Sequence, residues 1–192
     1  MTTSTLALDP HSAERVSDPY AAALKYRLDV VAHTVDDVVL SAGGWLYDRV
    51  AAGWEVTVLL PQHRDIRPLQ ILGVRAVELE SWLAVVPSTA WPSQGLAVSA
   101  DVFAADARVR EVVLEALDRH FTEVTLWDDN WPLTVGRRTT TVQHVLSGAA
   151  RAFKAHALAA AGISGQPVGR TETLLSDMKP GLPVESELVP LH

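Results

Sequence analysis

The chain contains no cysteine. That excludes disulfides, thiolate zinc ligands and thiol nucleophiles, and it fits a cytoplasmic setting. Basic residues are scarce: 16 Lys and Arg against 23 Asp and Glu leave a formal net charge of −7. A surface of that sign does not collect phosphates, so neither nucleic acid nor an anionic membrane is the expected partner. Arg137-Arg138 is the one basic cluster. Long apolar runs are also missing, and none approaches the ~20 residues that span a bilayer. The opening "MTTSTLALDPHSAERVSDPY" lacks a basic start followed by an apolar core, so no signal peptide is expected.

What is present suffices for one ordinary domain. The 192 residues are 48% hydrophobic and 20% charged, a composition that buries a full core. Residues 1–24 read as a polar N-terminal arm. Strand and helix signals then alternate. Strands are expected over 27–33, 54–61, 74–81 and 123–127, and helices over 43–53, 67–73, 105–121 and 144–162. Residues 82–95 and 128–143 read as irregular or loop, and 163–192 as an extended C-terminal tail rich in proline. The alternation predicts an α/β domain over 25–162, a three-layer, Rossmann-like fold with a mostly parallel sheet and helices on both faces. In such sheets ligands bind at the carboxyl ends of the strands.

The first strand ends in the most informative stretch, "VVAHTVDDVVLSAGGWL" at 30–46. Three readings of His33, Asp36 and Asp37 stand side by side. A dinucleotide site would need a glycine-rich turn directly after the strand; Gly43-Gly44 comes ten residues after the His, and aspartates repel phosphate. A metal site would use imidazole and carboxylate as ligands with a spare carboxylate as base, and would need a third ligand from elsewhere. The plain alternative is a turn His and a helix-capping Asp.

The stretch "VVAHTVDDVVLSAGGWLYDRVAAGWEVTVLLP" resembles the opening of the LmbE/PIG-L-like zinc-dependent N-deacetylases. In that family a first strand ends in A-H-P-D-D-E and is followed by a helix and a G-x-E-V-x-V-V strand. Ala32-His33, Asp36-Asp37, Gly43-Gly44 and "AGWEVTVLL" fall in that order here, and "ILGVRAVEL" resembles the approach to the third strand. The family's second motif, H-P-D-H-x-x-x-G, opens a helix after the fourth or fifth strand. Its last His and its Gly match His144 and Gly148 in "TVQHVLSGAARA".

The resemblance covers residues 27–160 and implies a ligand set. His33, Asp37 and His144 would bind zinc, Asp36 would be the general base, and Thr141 would meet the substrate where the family has a His. The implied activity is hydrolysis of an N-acetylated small molecule or sugar. The chain also departs from the pattern. Thr34-Val35 stand where the family has a single Pro, Val38 replaces its Glu, and Gln143 replaces the Asp before the last His. Thr141 cannot carry a positive charge. The alternative implied by these departures is a catalytically inactive relative serving as a small-molecule-binding or protein-interaction module, including assembly as a homo-oligomer. Arg64 and Arg67, with His63, follow the second strand and could meet an anionic substrate. Trp82, Trp91 and Trp131, together with Asp128, Asp129 and Asn130, also fall near strand ends.

Overall fold

The computed structural model describes residues 26–62, 65–84, 93–120, 122–128, 131–177 and 188–190. The expected N-terminal arm lies outside them. The elements run β1 (Arg27–Val31), α1 (Val35–Ala51), β2 (Glu55–Leu60), α2 (Arg67–Ile71), β3 (Arg75–Glu78), α3 (Leu79–Leu83), β4 (Gly95–Ser99), α4 (Ala100–Ala105), α5 (Ala107–Arg119), β5 (Glu123–Trp127), α6 (Leu133–Gly136), β6 (Thr140–Val145), α7 (Gly148–Ala160), β7 (Thr171–Ser176) and β8 (Leu188–Pro190). The sheet order is β3-β2-β1-β4-β5-β7-β6-β8. β1 to β5 pair in parallel, and β7, β6 and β8 complete the sheet antiparallel. The expected mostly parallel α/β sheet is therefore what the chain forms.

Alternation along the strands separates two apolar layers. Leu28, Val30, Val56, Val58 and Leu60 pack with Trp45, Leu46, Leu69 and Leu158 of α1, α2 and α7. Val31, Leu59, Leu96, Val98, Val124 and Leu126 pack on the other face with Phe103, Val109, Val113 and Leu117 of α4 and α5. Trp127, Val142 and Leu174 belong to the layer beneath α1, so β5, β6 and β7 each present side chains to that helix.

Several boundaries differ from the sequence expectation. β4 lies at the edge of a segment read as irregular, and all five of its residues are buried. The loop expected over 128–143 contains α6 and most of β6, and the helix expected from 144 begins at Gly148. The tail expected after 162 supplies β7, an internal strand between β5 and β6. On β6 and β7 the inward-facing positions include His144 and Glu172 as well as Val142 and Leu174. Polar residues at core positions break the apolar alternation by which a strand is recognised.

Candidate functional site

At the carboxyl end of β1, Ala32 is buried and His33 is exposed. Thr34 is the N-cap of α1, its hydroxyl accepting from the Asp37 N–H at 3.1 Å. Neither aspartate is the cap; both lie in the first turn, where a negative charge suits the helix dipole. Asp36 faces solvent, whereas Asp37 turns inward. Asp37 Oδ1 accepts from the Trp127 indole Nε1–H at 2.8 Å and from Ser41 Oγ at 3.5 Å. Its Oδ2 is buried without a hydrogen bond. Burial pushes the Asp37 carboxyl above the usual range; the Trp127 indole N–H and the nearby Ser99 hydroxyl oppose that shift, and the charge of Asp101 adds to it. Trp127 is 2% exposed. Its carbonyl accepts from Trp131 Nε1–H at 3.0 Å, and the Trp131 ring packs on Phe103 at 4.9 Å. Just beyond, Asp128 takes a left-handed backbone with φ 75°, uncommon for a residue with a Cβ. His33, Asp36, Asp37, Ser99, Asp101, Trp127 and Asp128 thus gather at the ends of β1, β4 and β5.

His144 is not among them. It lies on β6 with 2% exposure, and its Nε2 meets Asp48 Oδ2 at 2.8 Å. Asp48 also accepts from the Ser147 N–H at 3.1 Å, just before α7. Asp37 and Asp48 are about three turns apart on α1, roughly 16 Å at ~1.5 Å per residue. The implied ligand set of His33, Asp37 and His144 is therefore not brought together. Among the described residues, no group of three or more His, Asp or Glu is arranged to hold a metal ion. Among the described residues, the donors present do not fit zinc.

The remaining expected site residues are scattered. Thr141 is on β6 opposite Leu175 and, one residue out of phase with Val142, points away from α1. Arg67 is exposed at the start of α2, its N–H donating to Asp65 Oδ1 at 2.9 Å. Arg64, His63, Trp91, Asp129 and Asn130 lie outside the described residues. Gly43 and Gly44 are buried inside α1, not in a turn after β1, so they form no phosphate cradle.

The structure instead gives the glycine pair another setting. The mid-helix N–H groups of Gly44 and Trp45 donate to Glu172 Oε1 and Oε2 at 2.9 and 2.7 Å. Lys154 Nζ donates to Glu172 Oε1 and to the Leu40 carbonyl, both at 2.6 Å. Lys154 thus ties Glu172 to the α1 carbonyl one turn before Gly44. Gly44 permits the approach: a Cβ there would meet Leu146 Cδ2 at 2.5 Å and Glu172 Oε1 at 3.1 Å. Sequence reasoning missed this network because its partners are far apart in the chain. α1 thus crosses the sheet obliquely, meeting β5 through Asp37, β7 through Gly44 and Trp45, and β6 through Asp48.

No family model matches the sequence, and no curated protein matches it significantly. Solved structures do. One is a deacetylase of teicoplanin biosynthesis in complex with teicoplanin, with TM-score 0.55 and 14% identity, covering 78% of this chain and 97% of that one. Another is the deacetylase of the A40926 pseudoaglycone, with TM-score 0.56 and 16% identity, covering 79% and 97%. A third is a zinc-inhibited form of the teicoplanin deacetylase, with TM-score 0.53 and 16% identity, covering 78% and 97%.

The chain has the LmbE/PIG-L-like deacetylase fold.

Within that deacetylase fold, the second motif was expected on a helix after the fourth or fifth strand. The helices in those places are α4, α5 and α6, and none contains a His. His144 comes later, on the sixth strand. Among the described residues, no helix is long and apolar enough to cross a membrane.

Proposed function

We propose that this chain is a non-hydrolytic member of the deacetylase fold, a module that binds a small molecule at the carboxyl ends of its parallel strands without a metal. The observation that carries this reading is the pairing of His144 with Asp48, about three turns of α1 away from Asp37. Hydrolysis of an amide at neutral pH needs an activated water. A catalytic zinc site that supplies one uses three protein ligands and leaves a position open. Among the described residues, no group of His, Asp and Glu completes that set. In this reading His33 and Asp36, both exposed, offer polar contacts at the strand ends, and Arg67 has no part in catalysis.

The test is a hydrolysis assay with zinc supplied. Wild-type protein and Asp36→Asn should release acetate from N-acetylated amino sugars at the same background rate. Zinc-dependent release that Asp36→Asn abolishes overturns the proposal, since loss of a true general base lowers the rate by ~10²–10⁴-fold.

A further inference from the structure

Asp37 keeps the residue type of a metal ligand, yet neither of its oxygens is open to a metal. A carboxylate oxygen has about two lone-pair sites. Those of Oδ1 face Trp127 Nε1–H at 2.8 Å and Ser41 Oγ at 3.5 Å. Oδ2 is sealed from solvent. A cation approaching Oδ1 would have to displace the indole, whose N–H hydrogen carries partial positive charge. A buried N–H robbed of its acceptor is destabilising by ~1–3 kcal/mol. The indole is also enclosed, since Trp127 is 2% exposed in the layer beneath α1.

We propose that Trp127 closes the end of β1 to divalent cations, its indole N–H standing on Asp37 Oδ1 where a metal would have to bind. The inference rests on the metal-free reading above and adds the residue that enforces it. Trp127 lies on β5 in the layer that faces α1, so its ring reaches the first turn of the helix from below. A ligand at these strand ends meets the exposed His33 and Asp36 and is held by hydrogen bonding.

The experiment follows the six indole N–H signals of the protein by NMR, with the Trp127 signal assigned from Trp127→Phe. In wild-type protein, excess zinc chloride should leave that signal in place. Zinc affinity, measured by competition with a chromogenic chelator, should rise at least ~10-fold in Trp127→His, the scale on which partners of metal ligands act. Trp127→Phe, which keeps a ring and removes the N–H, should move the same way and serves if the His variant does not fold. A saturable zinc shift of the Trp127 signal in wild-type protein, abolished by Asp37→Asn, overturns the inference. So does unchanged affinity in folded Trp127→Phe and Trp127→His. Either outcome with acetate release still absent leaves the non-hydrolytic reading standing. Acetate release with an unmoved Trp127 signal overturns that reading alone.

Discussion

The two ends of α1 carry the same kinds of side chain and treat them differently. At the first turn, Asp36 is exposed and Asp37 Oδ1 takes the Trp127 indole N–H and a long bond from Ser41, while its second oxygen is buried without a hydrogen bond. Farther along, Glu172 receives two backbone N–H groups and an ammonium, and Asp48 receives an imidazole nitrogen and the Ser147 N–H. The Lys154 and Glu172 side chains are only 8% and 4% exposed. Buried charge survives only with a full set of partners, and the far half of the helix supplies them from β6, β7 and α7. The near half, at the mouth where ligands of this sheet class bind, leaves its carboxylates under-used. His144, read from sequence as chemistry, works in the half that holds the fold together.

That contrast can be broken at several places. The largest effect is expected from Glu172→Ala, which strands Lys154 and two mid-helix N–H groups; urea unfolding should show a loss of about 3–5 kcal/mol. An effect below 1 kcal/mol would mean that the pair is not structural. Gly44→Ala comes next. Alanine favours a helix over glycine by up to ~1 kcal/mol, yet the Cβ would sit 2.5 Å from Leu146 Cδ2, so overpacking should give a net loss of about 1–3 kcal/mol. A stabilised Gly44→Ala protein would contradict the close approach.

At the near end the sign reverses. Asp37 is held above its ordinary value of 3.8. Its contribution is therefore fully present below that pH and lost as the pH rises through the folded-state value. Asp37→Asn removes the titration and leaves an acceptor for Trp127, so its stability relative to wild type should improve as pH is raised through this window. Denaturant melts across that range would contradict the account if the wild type gained instead. The smallest effect belongs to Asp36→Asn, which removes a first-turn charge. About 0.3–1 kcal/mol should be lost at low salt and less at high salt.

The sequence made most of the parallel half of the molecule readable, β4 excepted, and left the antiparallel half obscure. β1, β2 and β5 are apolar runs bounded by turn signals, and α5 shows its face through Val109, Val113, Ala116 and Leu117. Those patterns follow from burial alone. β7 reads T-E-T-L-L-S, with Glu172 in a core position, and β6 places His144 likewise. Nothing local marks an acid or an imidazole as buried when its partners lie at Gly44, Asp48 and Lys154. The strand-end cluster of His33, Asp36 and Asp37 was legible because it is contiguous. Its completion was not: His144 and Gly148 matched a motif by spacing, while the fold sent the imidazole to β6. Trp127 as the partner of Asp37 has no sequence signal beyond its place at the end of a strand.

The central claim is that His144 and Asp37 serve different ends of α1 and share no metal. Zinc content measures this most directly. Wild-type protein, purified without chelator, incubated with zinc and desalted, should retain far less than one zinc per chain, and His144→Ala should change its stability but not its zinc content. About one zinc per chain, lost in both His144→Ala and Asp37→Asn, would contradict the account.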